Sequence, residues 1–183
     1  NTLKEMLAGS GDSFADFGKL GVFLQGDLDF GERDQDANND GYEFDSWSLT
    51  AGADYRFTDT FFAGASVSMG AVEVTTRDRL GNTDVDNIRF TTYAGWQITD
   101  NLFIDGQLAY TKADYELART VAYTDAGGEF RSVYLGDTDG DQLSAGLNIG
   151  YMLNKGGWRF GPTATVSYID GTVNGYRERA QEG

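Results

Sequence analysis

The 183-residue chain contains no cysteine and no histidine. Without cysteine it has neither disulfides nor thiolate metal ligands, and without histidine it lacks the usual general base and the commonest metal ligand. Every Ser-His-Asp or Cys-His mechanism is therefore excluded within the chain, and neither a catalytic centre nor a cofactor is expected. Basic residues are also scarce: 14 Lys and Arg stand against 29 Asp and Glu, a formal net charge of -15. A chain this acidic repels phosphate backbones, which removes nucleic acid from the expected partners. No run approaches the roughly eighteen uninterrupted apolar residues of a membrane helix. The opening "NTLKEMLAGS" lacks the basic region and apolar core of an export signal, so any targeting sequence is expected upstream or already removed. There is a single proline and no Pro/Ser-rich linker, and one domain is the expectation.

Glycine (25 residues) and aromatic side chains (14 %) are abundant, and they are not scattered. In "SWSLTAGADYRFTDTFFAGASVSMGAV", residues 46 to 72, apolar and small polar residues alternate on either side of a Thr-Asp-Thr break. Period two predicts strands, and a three-residue break between two such runs predicts an antiparallel hairpin. The same alternation marks about seven strands of roughly ten residues or more, longer than usual in soluble sheets. They fall near 20–30, 46–57, 61–72, 87–99, 102–115, 141–153 and 158–170. Thr58 to Thr60, Thr99 to Asn101 and Asn154 to Gly157 read as tight turns. "GERDQDANNDGY", "TTRDRLGNTDVD" and "ADYELARTVAYTDAGGEFRSVYLGDTDG" read as long polar loops. Tight turns and long loops alternate, which places all the tight turns at one end of an all-β, antiparallel up-and-down sheet.

Which face meets water follows from what fills each one. Solvent-facing strand positions normally favour Thr, Lys, Arg and Glu, whereas Gly and Ser weaken an exposed strand; small residues suit the inside of a barrel. The eleven residues Trp47 to Phe57 extend about 36 Å at about 3.3 Å each, and a tilt of about 45° reduces that to about 25 Å, the apolar height of an outer-membrane barrel. The residues expected to face lipid are Trp47, Leu49, Ala51, Ala53, Tyr55 and Phe57, then Phe61, Val67 and Met69, then Trp96 and Ile98, then Leu108 and Tyr110, then Leu147, Ile149 and Tyr151, and finally Trp158, Phe160, Val166 and Tyr168. Those expected to line a lumen are Ser46, Ser48, Thr50, Asp54 and Arg56, then Ser66 and Ser68, then Arg89 and Gln97, then Asp105 and Gln107, then Ser144 and Asn148, and finally Arg159, Thr163 and Thr165. Aromatic residues gather toward both ends of the strands, as the two girdles of a transmembrane barrel do. A soluble ligand-binding barrel is the competing reading, with the apolar face turned inward.

The runs "GVFLQGDLDFG", "FDSWSLTAGADYRFTDTFFAGASVSMG", "DNLFIDGQLAY" and "GDTDGDQLSAGLNIGYMLNKGGWRFGPTATVSYIDGTVNGYRER" resemble the translocator barrel of autotransporters, the type V secretion proteins of Gram-negative bacteria. The "DYRFTD" turn, the aromatic-x-aromatic-G-P segment at Trp158 to Pro162 and "GYRER" at Gly175 to Arg179 carry the resemblance. It implies a roughly twelve-stranded transmembrane β-barrel of the bacterial outer membrane that anchors and exports an N-terminal passenger domain of the same precursor. It further implies contact with outer-membrane lipid and lipopolysaccharide, and folding by the outer-membrane barrel-assembly machinery. A general porin-like channel is the alternative within the membrane. Leu3, Met6 and Leu7 suit a short helix ended by Gly9-Ser10-Gly11, so residues 1–19 are expected as a linker inside the pore and 20–183 as part of the barrel. About seven strands would leave the first and last parallel, so closure within this chain is not expected, and the chain reads as about half a barrel.

Two patterns suggest further chemistry. "DTDGD" sets Asp137, Asp139 and Asp141 at the first, third and fifth positions of a calcium loop, but Asn148 stands where the bidentate Glu should, and that reading fails. Some autotransporters cleave the linker inside the pore with lumenal acidic residues. Asp54 and Asp105 are the candidates by face, although pairing with Arg56, Arg89 or Arg159 is the stronger expectation.

Overall fold

A computed structural model describes residues 13–16, 18–34, 41–76, 81–125 and 128–181. Alternating side chains and antiparallel pairing give one sheet that runs β1 (Ser13–Asp16), β2 (Leu20–Arg33), β3 (Tyr42–Arg56), β4 (Phe61–Thr76), β5 (Gly81–Gln97), β6 (Leu102–Asp125), β7 (Gly128–Tyr151) and β10 (Thr163–Val173) in spatial order. Every neighbour in the run β1 to β7 is also the neighbour in sequence, an up-and-down meander. Among the described residues no pairing joins the β1–β2 edge to β10, so the sheet is open. No helix among them is long and apolar enough to cross a membrane.

The two tight turns between β3 and β4 and between β5 and β6 share one device. Thr58 Oγ1 accepts the N–H groups of Thr60 (3.2 Å) and Phe61 (3.0 Å), and Thr99 Oγ1 accepts those of Asn101 (3.3 Å) and Leu102 (3.0 Å). A Thr at the first position of a Thr-Asp turn thus satisfies the donors that the reversing backbone exposes.

The seventh predicted strand differs from its sequence-based span. Trp158–Phe160 is a separate strand, β9, which pairs only with β8 (Leu153–Lys155), while the sheet resumes at Thr163. Gly156 (φ 60°) and Gly157 (φ 83°) supply the two positive-φ positions that a two-residue type I′ hairpin requires. Pro162 ends the excursion: it has no N–H for the ladder, but its carbonyl accepts from Tyr151 N at 3.0 Å. Trp158, Arg159 and Phe160 therefore stand outside the main sheet, not on the faces of its seventh strand as the alternation predicts.

The long loops are also shorter than expected. The 28-residue stretch read as a loop from 113 to 140 is almost entirely strand, because β6 and β7 pair without interruption from Leu102↔Tyr151 to Asp125↔Gly128. There the apolar alternation fades while backbone pairing continues. Asp137, Asp139 and Asp141 lie on extended β7, where no calcium loop can form, and Asp139 instead accepts from Asn174 Nδ2 at 2.9 Å. Within the segment read as a linker, Ser13–Asp16 pairs with β2, and the expected helix at Leu3 to Leu7 lies outside the described residues.

Candidate functional site

The register sorts side chains into two faces. Opposed residues share a face, and Leu24↔Ala51↔Val67↔Phe90↔Tyr110↔Leu143 runs across six strands without a break. Gln25↔Thr50↔Ser68↔Arg89↔Thr111↔Gln142↔Gly171 crosses the other face. Exposure is inverted relative to a water-soluble sheet. Trp47 is 46 % exposed, Leu49 40 %, Leu108 51 % and Leu147 51 %, while Ser46, Ser48, Thr50, Ser66, Ser68, Arg89 and Ser144 are half-buried. Phe62 and Ala109 alone make up the buried apolar core among the described residues, and both lie on the polar face.

That polar face is concave. One cavity of about 770 Å³ is lined by Phe23 and Gln25 of β2, Arg89 and Tyr93 of β5, Asp105 of β6, and Thr165 and Ser167 of β10, so the sheet curls until its outer strands share one space. Polar side chains cross-link this surface. Thr165 Oγ1 donates to Asn148 Oδ1 (3.1 Å), and Asn148 Nδ2 donates to Asp105 Oδ2 (2.9 Å), which ties β10, β7 and β6 together. Thr50 and Ser68 share a hydroxyl hydrogen bond of 2.8 Å, and Ser48 Oγ donates to Asp27 at 3.2 Å. Arg89 on β5 reaches over β6 to Ser144 Oγ at 3.4 Å, passing the small, 1 % exposed Ala109. Replacing Ala109 with Leu should sever this span and lower the thermal midpoint of the folded protein, an overpacking cost of about 1 to 3 kcal/mol. A melting curve unchanged by Ala109→Leu would contradict the packing described.

Rings on the concave face lie over glycines, a feature that alternation alone does not reveal. Phe23 covers Gly52, Tyr93 covers Gly64, Phe62 covers Gly95 and Phe103 covers Gly150; each glycine is the direct cross-strand partner of its ring. Glycine in these strands is therefore a socket for the ring opposite it. A Gly directly opposite an aromatic, read off once a hairpin register is set, is the signal that finds it.

Of the sequence-predicted residues, the register brings together on the concave face Ser46, Ser48, Thr50, Asp54, Arg56, Ser66, Ser68, Arg89, Gln97, Asp105, Gln107, Ser144, Asn148, Thr163 and Thr165. The convex face gathers the apolar set. Near the tight turns Tyr55 and Phe57 meet edge-on at 5.0 Å and Phe57 lies 5.6 Å from Phe61, while Phe61 pairs with Trp96. Toward the other end, Phe90 pairs with Tyr110, whose hydroxyl donates to Asp141. Asp54 and Asp105 stand on β3 and β6; Asp105 is engaged by Asn148, and Asp54 lies against its partner Gly21, where a Cβ would come 3.0 Å from Oδ1. No group of three or more Asp or Glu able to hold a metal ion occurs among the described residues.

Comparison with known proteins gives this inverted sheet its family. A family model for the autotransporter β-domain matches residues 22–183. The chain belongs to the autotransporter β-domain family. It is a translocator domain of the bacterial outer membrane. The chain is similar to outer membrane protein B of Rickettsia typhi, 24 % identical over 173 residues that make up 92 % of this chain and 10 % of that protein. It is 23 % identical to outer membrane protein B of Rickettsia rickettsii over 75 % of this chain and 9 % of that one. The autotransporter β-domain described here thus spans about a tenth of the length of these relatives. Its fold matches the translocator domain of autotransporter NalP from Neisseria meningitidis with a TM-score of 0.70 and 16 % identity, over 98 % of this chain and 59 % of that one.

Proposed function

We propose that the convex face of this β-domain contacts lipid and that its concave face lines the pore through which an N-terminal passenger of the same precursor is exported. The observation that carries this reading is the inverted exposure. Leu, Trp and Phe face outward on strands of membrane-spanning length while Ser, Gly, Arg and Asp line the cavity, the reverse of what water outside and a core inside would stabilise. Trp47, Phe90, Tyr110 and Tyr168 form the outer aromatic ring, and Tyr55, Phe57, Phe61, Trp96 and Tyr151 the periplasmic one, with Trp158 and Phe160 of the β8–β9 hairpin beneath it. The N-terminal segment, read as residues 1–19, serves as the linker to the passenger. Lumenal Asp54 and Asp105 keep the pore hydrated and paired; the Asn148 hydrogen bond to Asp105 supports that role over linker cleavage.

In hydrocarbon, unpaired strand edges cost several kcal/mol per group, so the β1–β2 and β10 edges are completed by further strands of the same barrel. Lipopolysaccharide surrounds the outer ring, and the barrel-assembly machinery inserts the sheet. The direct test is to place an epitope at the N-terminus of the precursor. The epitope should be protease-accessible on intact cells when the β-domain is present, and should stay in the periplasm when β2 to β10 are deleted. An epitope exposed equally in both strains would defeat the export reading.

Orientation follows from the same physics, because outer-membrane barrels turn tightly in the periplasm and extend their longer connections outside. A cysteine at Thr124 should react with a membrane-impermeant maleimide on intact cells, whereas one at Asn154 should react only after permeabilisation. The opposite pattern would invert the barrel.

A further inference from the structure

We propose that the Gly175–Arg179 turn is a latch, in which Arg119, Tyr176 and Glu178 are positioning residues that hold the tall β6–β7 ribbon over the external mouth of the pore. The proposal rests on the orientation given under the proposed function, and it begins with where support for the ribbon stops. On one side β5 pairs with β6 only as far as Gly81↔Arg119. On the other, β11 (Arg179–Ala180) pairs with β7 up to Ala180↔Tyr134, and Gln181 N donates to Val133 O at 2.8 Å. Arg119 and Tyr134 are themselves cross-strand partners. They form the last rung flanked on both sides; above it the described ribbon stands as two strands, with Tyr123 stacked on Phe130 (4.8 Å) on the concave side. A free two-stranded ribbon is marginal in water, so its base is where restraint matters most.

The turn supplies that restraint from several groups at once. Six residue steps from Val173 to Arg179 oppose five from Gly140 to Leu135, a one-residue bulge in the edge strand. The bulge swings Tyr176 over Gly136, where a Cβ would come 2.7 Å from the ring, so glycine is needed to seat it. It also brings Glu178 across β7 to Arg119, whose Nη2 and Nε donate to the two carboxylate oxygens at 2.5 and 3.3 Å, a bidentate pair. The same guanidinium lies 5.6 Å from the Tyr134 ring centroid. Asn174 fixes the start of the turn: its N–H donates to Asp139 O (2.9 Å), its carbonyl accepts from Thr138 Oγ1 (2.6 Å), and its Nδ2 donates to Asp139 Oδ2 (2.9 Å). The Arg119 hydrogen bond holds the Glu178 carboxyl below its ordinary range.

A lone ion pair this exposed contributes little to global stability, so the latch acts on the ribbon's position rather than on whether the barrel folds. The test uses the full precursor in outer-membrane vesicles, with nitroxides at Glu43 on β3 and Thr124 on the ribbon. The wild type should give a narrow distance distribution. Glu178→Arg and Tyr176→Ala should each broaden it and lower passenger exposure on cells several-fold, with heat-resistant folded barrel unchanged. The charge swap Arg119→Glu with Glu178→Arg should restore both readouts. A distribution that stays narrow in the single variants overturns the latch, and so does a swap that fails to rescue or a broadened ribbon with full export. A wild type that exports no passenger would instead overturn the proposed function itself.

Discussion

Leu49→Arg should remove most of the heat-resistant folded barrel from outer-membrane fractions, while Ser48→Arg should leave it nearly intact. The two positions are adjacent on β3 but point to opposite faces: Leu49 pairs with Met69 and Gly26 on the convex side, Ser48 with Gly70 and Asp27 on the concave side. An arginine on the lipid face costs about 2 to 4 kcal/mol near the midplane of a bilayer, a large fraction of a domain's net stability. An arginine at 48 would enter a hydrated surface and gain Asp27, which already accepts from Ser48 Oγ at 3.2 Å. The comparison is made by the mobility of unheated samples in gel electrophoresis, and equal losses in the two variants would contradict the face assignment.

Gly64→Ala should destabilise the barrel, whereas Gly26→Ala should be neutral or stabilising, although both replace a glycine by the smallest chiral residue inside a strand. A Cβ at Gly64 would lie 2.5 Å from Tyr93 Cζ and 2.7 Å from the backbone carbonyl of Ala53, whereas at Gly26 its nearest neighbour is Ser48 O at 3.8 Å. The ring end can swing, but the Ala53 carbonyl belongs to the paired β3–β4 ladder and cannot give cheaply. Overpacking of this kind costs about 1 to 3 kcal/mol. At Gly26 the added methyl meets ordinary contacts, and the lost unfolded-state entropy favours the fold by about 0.4 to 1 kcal/mol. Urea midpoints of refolded protein would measure the difference, and midpoints that fall equally in both variants would refute the socket.

The main sheet was legible because an apolar convex face and a small-residue concave face impose strict alternation. Trp47 to Arg56 and Phe61 to Ala71 could be paired from the Thr58-Asp59-Thr60 break alone. Three features were not legible, each for a physical reason. Between Ala113 and Gly140 the sequence carries no sustained period, and the strand character rests on backbone pairing and on residues such as Val121, Tyr123, Val133 and Tyr134. Around Trp158 the alternation continues through a hairpin that has left the sheet, and only Pro162 and the Gly156-Gly157 pair betray the change. The rings of Phe23, Phe62, Tyr93 and Phe103 sit at polar-face positions because glycines on the neighbouring strands admit them, a relation between strands that no single strand displays. The latch is of the same kind: Arg119 and Glu178 lie 59 residues apart and meet only through the β6–β7–β11 register.

The inside-out sheet is tested most directly by collision accessibility of single nitroxides, placed in the full-length precursor in outer-membrane vesicles. Labels at 49, 69, 108 and 147 should relax with oxygen, which partitions into lipid, and those at 48, 68, 107 and 148 with a water-soluble nickel complex. Preferential collision of the 49, 69, 108 and 147 labels with the nickel complex would contradict the account, because the apolar face would then meet water and the polar face could not be a channel.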